Sequence, residues 1–151
     1  MSVRVALHQP DQPGNVGSVL RLGACLRVGV DLIHPCGFAF SRRAVRRAAM
    51  DYGELASLAE HANYVAFRAA LPGRLVLLTT RGATALPAAR FEPGDTLLLG
   101  SESAGAPDEA HADADLRVRI PLAAGARSLN LALSAAIALG EALRQLEEWP
   151  E

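Results

Sequence analysis

Leu97-Leu98-Leu99-Gly100-Ser101-Glu102-Ser103-Ala104-Gly105-Ala106-Pro107 is the stretch that decides the fold. An unbroken apolar run closed by glycine suits a central strand covered on both faces, as in a parallel sheet. The polar, glycine-paired turn after it falls at the strand's carboxyl end, where open α/β sheets bind ligands. Two other segments repeat the arrangement. Gln9-Pro10-Asp11-Gln12-Pro13-Gly14-Asn15-Val16-Gly17 follows a strand-like Val3 to His8, and Arg119-Ile120-Pro121-Leu122 leads into Arg127-Ser128-Leu129-Asn130-Leu131. Three such loops in one small chain predict a shared pocket.

Outward from these loops, strands and helices alternate, which predicts one α/β domain over residues 1–151. Asn15 is placed to cap a helix from about Val16 to Leu26, and Asp31 to His34 reads as a second strand. Ser41 can cap a basic helix over Arg42 to Ala49, and Asn63 a short one through Ala70. Leu75 to Thr79 is another continuous apolar run, and Leu116 to Ile120 a further strand. Pro107 opens a short helix over Asp108 to Ala112. The last helix, Leu129 to Leu146 with Ser128 as cap, carries Leu131, Leu133, Ile137 and Leu139 and is apolar on nearly all sides. Such a helix is buried all round. Tight packing on the sheet and a homodimer interface both satisfy that requirement.

Half of the 151 residues are hydrophobic and 21% are charged, with a formal net charge of −1. That balance carries no global nucleic-acid signature. The basic residues are all arginine, and four of the fifteen fall between Arg42 and Arg47. No apolar run is long enough for a membrane span. The amino-terminal segment lacks the apolar core and cleavage site of a signal peptide, so a cytoplasmic location is expected. Cys25 and Cys36 have no partner at metal-ligand spacing, so no metal is expected and both read as buried thiols. The scattered His8, His34, His61 and His111 read as surface or strand-end residues. G-x-G-x-x-G, the P-loop and the G-x-S-x-G elbow do not occur.

Taken singly, the candidate residues have plain structural readings. Asn15 and Arg21 can be a helix cap and a surface arginine, Glu102 can cap backbone amides, and Ser128 can begin a helix. Their order and spacing together say more. Pro13-Gly14-Asn15-Val16-Gly17-Ser18-Val19-Leu20-Arg21, Leu99 to Pro107 and Arg119 to Leu131 resemble the three motifs of the SPOUT superfamily of knotted RNA methyltransferases. Pro35-Cys36-Gly37-Phe38, followed by Arg46-Arg47-Ala48-Ala49-Met50-Asp51-Tyr52, is similar to a stretch of its TrmL group. Members of that group methylate the 2'-hydroxyl of tRNA wobble nucleotide 34. The resemblance runs from Val3 to Gln145.

The resemblance implies a mostly parallel sheet with helices on both faces, a carboxyl-terminal deep trefoil knot and a homodimer. It implies S-adenosylmethionine as cofactor, held by Leu78, Thr79, Gly100, Glu102, Ile120, Leu122, Ser128 and Leu129. It implies tRNA as substrate and a catalytic set of Asn15, Arg21, Ser128 and Asn130. An arginine is a poor base near neutral pH, so Arg21 is expected to position and stabilise the developing alkoxide, with Asn15 orienting it or the ribose. Arg42, Arg43, Arg46 and Arg47 are expected to grip RNA phosphates. Two positions depart from the group: Ala104 stands where arginine is frequent, and Gly140 where an aromatic is. A related enzyme for another tRNA or rRNA site, and a silent RNA-binding dimer, are the competing expectations.

Overall fold

The computed structural model describes residues 2–48 and 57–151. Among the described residues there are seven strands: β1 Arg4–His8, β2 Gly29–Ile33, β3 Leu58–His61, β4 Leu75–Leu78, β5 Thr84–Ala85, β6 Thr96–Leu99 and β7 Leu116–Arg119. They form one sheet in the order β3-β2-β1-β6-β4-β7-β5, every neighbouring pair parallel. The helices are α1 Pro13–Leu26, α2 Arg42–Ala48, α3 Tyr64–Ala69, α4 Asp108–Asp113 and α5 Leu131–Leu146.

Alternation along the strands sends side chains to two cores. Val5, Leu7, Val30, Leu32, Val76, Leu97 and Val118 meet Val16, Val19 and Leu20 of α1 and Ala135, Ala138, Leu139 and Leu143 of α5. Ala6, Ile33, Leu75, Leu77 and Leu98 face the other way, onto Tyr64, Phe67 and Ala110 of α3 and α4. Both faces of the central strands are thus sealed, which is why β4 and β6 read as unbroken apolar runs. The two longest helices share one face, and their amino-terminal ends lie at the carboxyl edge of the sheet.

Several local expectations are corrected. Helix α1 begins at Pro13, with Gln12 as its cap residue and no side-chain cap. Proline needs no amide partner in the first turn, so the helix starts earlier and Asn15 lies inside it. Helix α5 is capped by Asn130, whose Oδ1 accepts from the backbone N–H of Ala132 at 2.8 Å and of Leu133 at 3.3 Å. Ser128 therefore stands in the preceding loop. Ser41 and Asn63 do cap their helices. Strands β3 and β5 were not expected: they lie at the two edges of the sheet, are short, and lack a continuous apolar run. Cys25 is exposed on α1 and Cys36 is half-buried, so neither is a fully buried thiol. Of the Arg46–Tyr52 stretch, residues 49–52 lie outside the described residues.

Helix α5 also divides its apolar residues more sharply than expected. Leu131 and Leu139 are buried in the chain's own core, whereas Leu133 is 58% and Ile137 46% exposed. Helical periodicity sets Leu133 and Ile137 one turn apart on the outward side. Trp149, beyond the helix, folds back so that its Cζ2 lies 3.8 Å from where a Cβ on Gly140 would sit.

Candidate active site

The loops after β4, β6 and β7 meet the head of α5 around a cavity of about 570 Å³. Leu78 and Thr79 come from the end of β4, Gly100 and Glu102 from the turn after β6, and Ile120 and Leu122 from the segment after β7. Ser128, Leu129 and Asn130 close it from the loop before α5, and Asn15 reaches its rim from α1. The eight positions expected to hold the cofactor all line this one space. Ser101 and Ala106 of the same motif line it as well, as do Thr80 and Ser134, which no reading of the sequence singles out.

Glycine shapes the turn after β6. A Cβ on Gly100 would sit 2.1 Å from the backbone nitrogen of Ala106, so no side chain fits. Gly105 has φ +71, the left-handed region that favours glycine. Its N–H donates to Ser101 O at 3.0 Å, closing a miniature hairpin that carries Glu102 and Ser103 at its tip.

A hydrogen-bonded chain crosses the rim. Asn130 Nδ2 donates to Asn15 Oδ1 at 3.2 Å, and Asn15 Nδ2 donates to Glu102 Oε1 at 3.3 Å. The other oxygen, Oε2, accepts from the backbone N–H of Asp11 at 2.9 Å. Ser103 Oγ in turn donates to Asp11 Oδ2. Nothing in the sequence marks Asp11, because its partners lie in a motif about ninety residues away.

Arg21 is not among the cavity's lining residues. It is exposed on α1, one turn after Ser18 and next to Leu22 in sequence, and does not line the groove those residues share. Those two residues, with Asn15, Asn130, Ala132, Leu133 and Ala136, line a second, shallower groove of about 410 Å³ between α1 and α5.

The arginine helix stands apart from the cavity. Arg42 is tied to Glu60 by Nε at 2.9 Å and Nη2 at 2.6 Å, and His34 Nε2 approaches the other Glu60 oxygen at 2.9 Å. Burial opposes ionisation of Glu60, yet the hydrogen bonds from His34 and Arg42 outweigh it and keep the carboxyl below its ordinary range. Burial, then the charge of Glu60, pushes the Cys36 thiol up to about 11. Arg43 and Arg47 are exposed. The Arg46 side chain lies outside what the structure describes.

His/Cys/Asp/Glu clusters able to hold a metal do not occur among the described residues. Neither does a helix long and apolar enough to cross a membrane.

Comparison with known proteins agrees with this geometry. Residues 2–140 match the model of the SpoU rRNA methylase family. The chain is 50% identical, over 94% of its own length and 91% of the relative's, to a tRNA (cytidine(34)-2'-O)-methyltransferase of Beijerinckia indica. It superposes with a TM-score of 0.91 and 40% identity, over 97% of both chains, on a structure described as giving insight into 2'-OH methylation of C/U34 on tRNA. An AdoMet-bound rRNA methyltransferase from Sinorhizobium meliloti aligns with a TM-score of 0.83 and 30% identity, over 96% of this chain and 57% of that one. A parallel sheet with this cavity, and a family match along nearly the whole length, lead to one assignment: the chain belongs to the SpoU rRNA methylase family.

Proposed function

We propose that the protein transfers a methyl group from S-adenosylmethionine to the 2'-hydroxyl of nucleotide 34 in tRNA, working as a homodimer in the cytoplasm. The observation that carries this reading is the 50% identity to a C34 methyltransferase across nearly the whole chain. The cavity suits the cofactor. Its volume lies in the range of small-molecule sites, with apolar walls from Leu78, Ile120, Leu122 and Leu129 and hydroxyls from Thr79 and Ser128. Glu102 adds a carboxylate to complement a cation. We attribute the convergence of these loops to the trefoil knot of the family.

S-adenosylmethionine, when bound, would supply an electrophilic methyl group to the ribose 2'-oxygen, with S-adenosylhomocysteine as the leaving thioether and the hydroxyl proton released to solvent. The chain's own residues position the nucleophile. Asn15, held by Glu102 and Asn130, is oriented toward the rim where the ribose arrives, and Ser128 and Asn130 complete that rim. In-line placement supplies much of the acceleration. Arg21 stabilises the alkoxide that develops on the ribose. Because it lies outside the cavity, it reaches that oxygen only when RNA or a second protomer brings another surface to the α1 face. The groove flanked by Leu22 and Leu133, continuous with exposed Ile137, is the face we assign to the second protomer. Exposed Arg43 and Arg47 hold RNA phosphates, with Arg46 assigned by its place in the same helix.

The test is methyl transfer from labelled S-adenosylmethionine to a tRNA anticodon stem-loop. Label is expected at nucleotide 34, and a 2'-deoxy substitution there abolishes it. Label at another nucleotide, or none on folded protein, overturns the reading.

A further inference from the structure

Asp11 lies where its own loop, the hairpin after β6 and the loop at Gly37 meet, and neither the motifs nor the cavity lining assigns it a task. Its backbone N–H donates to Glu102 Oε2 at 2.9 Å. Its Oδ2 accepts from Ser103 Oγ, the residue beside Glu102 at the tip of the hairpin. Its other oxygen, Oδ1, is shielded from solvent and has no hydrogen-bond partner. Gly37 packs against it so closely that a Cβ there would lie 2.5 Å from Asp11 Cβ and 3.0 Å from its Cα. Gly37 N–H also donates to Pro10 O at 3.0 Å, so the loop leading toward α2 is fixed to the same spot.

Glu102 Oε1 accepts from Asn15 Nδ2. The orientation of Asn15 therefore depends on where Glu102 is held, and Asp11 holds Glu102 twice: directly by its main chain, and through Ser103 by its side chain. Glu102 is exposed at a hairpin tip, where a carboxylate without such tethers would sample several rotamers.

We propose that Asp11 is a positioning residue of the methyl-transfer site: by latching the Ser101–Gly105 hairpin through Ser103 and Glu102, it sets the orientation of Asn15 at the reacting ribose. The proposal rests on the methyltransferase reading, and it assigns Asp11 no contact with substrate.

The experiment compares Asp11→Ala, Asp11→Asn and Ser103→Ala with the wild-type protein, each assayed for methyl transfer to tRNA and for S-adenosylhomocysteine affinity by calorimetry. Asp11→Ala should lower kcat by about tenfold or more at saturating tRNA, with KM for tRNA and S-adenosylhomocysteine affinity within about threefold of wild type. Asp11→Asn keeps an oxygen for Ser103 and should recover most of that kcat. Ser103→Ala should fall with Asp11→Ala, and the double variant should be no worse than either alone, as for two partners in one contact. A readout independent of activity is the Asn15 side-chain amide in a 15N–1H spectrum, assigned by its loss in Asn15→Ala. It should shift in Asp11→Ala and stay near its wild-type position in Asp11→Asn.

An unchanged kcat, an unmoved Asn15 amide, additive losses in the double variant, or a loss confined to KM each overturns the proposal. So does an Asp11→Ala defect that Asp11→Asn fails to recover. Failure of the wild-type protein to methylate tRNA would count instead against the function itself.

Discussion

Asn130 Nδ2 donates to Asn15 Oδ1 across 3.2 Å while Asn130 Oδ1 caps α5, so one side chain both starts a helix and orients a residue 115 positions earlier. Its two ends can be separated. Asn130→Asp keeps the capping oxygen and loses the amide donor; Asn130→Ala loses both. Asn130→Ala should therefore cost about 1 kcal/mol of stability and also lower turnover. Asn130→Asp should retain most of the stability and share the loss of turnover. Thermal unfolding alongside single-turnover methyl transfer checks both, and full activity in Asn130→Asp would show that the tether to Asn15 is dispensable.

Arg21 lies outside the cavity, so removing it should spare the cofactor. Arg21→Ala is expected to bind S-adenosylhomocysteine as the wild type does and to lose roughly 10²–10³-fold in single-turnover rate, the effect of deleting one group that stabilises a developing oxyanion. Calorimetry and a rapid-quench assay with tRNA in excess measure the two quantities. A near-normal rate removes Arg21 from the reaction.

Legibility in the sequence followed the range of the interaction. The central strands announce themselves because burial on both faces demands local runs such as Leu75–Leu78 and Thr96–Leu99. The edge strands β3 and β5 do not, since half their surroundings are solvent or loop. Local capping chemistry identified Ser41 and Asn63, yet misassigned Asn15 and Ser128: proline at the start of α1 and a better acceptor at Asn130 displaced them. The residues that line the cavity were expected from the resemblance of three motifs to a known family, since each motif alone reads as an ordinary turn or helix start. The latch between Asp11 and Ser103 was not, because nothing local marks a pair brought together only by the β1–β6 neighbour relation. Likewise, periodicity groups Leu133 with Ile137, but only the sheet's position decides that this pair faces outward while Leu139 faces in.

Glu60 gives the pH dependence. Its carboxyl ionises more readily when folded, because His34 and Arg42 donate to it, so it contributes stability above its unfolded value of about 4.3. That contribution fades as pH falls through the lower folded value. Glu60→Gln should therefore be less stable than wild type near neutrality, with the difference shrinking below about pH 4. Urea unfolding at a series of pH values measures it; a difference that grows with acidity would contradict the sign.

If α2 grips phosphates, changing Arg43 and Arg47 together to Ala should weaken tRNA binding. The salt slope should fall by about one unit, or slightly less, for each phosphate that an arginine no longer neutralises. Methyl transfer at saturating tRNA should be spared. Arg42 is committed to Glu60 in the free protein, so Arg42→Ala is expected to flatten the slope less than either exposed arginine. Binding measured at several salt concentrations gives the slopes directly, and an unchanged slope in the double variant would leave α2 a solvated face.

Leu133, Ile137 and Leu139 share one apolar helix but differ in what they should do for assembly. Leu139 is fully buried within the protomer, so Leu139→Ala should destabilise the fold itself by about 2–5 kcal/mol. Leu133 and Ile137 are exposed beside the groove of Leu22 and Ala136. Leu133→Glu with Ile137→Glu should leave each chain folded but separate the copies, since charged groups cannot be buried unpaired in an apolar interface. Asn15 and Asn130 lie on the rim of that same groove, so loss of the second copy should lower methyl transfer while S-adenosylhomocysteine affinity changes less. Sedimentation velocity at micromolar concentration, with circular dichroism of the same samples, distinguishes the two effects. A wild-type protein that sediments as a folded monomer would refute the dimer, and a double variant that remains dimeric would move the interface elsewhere.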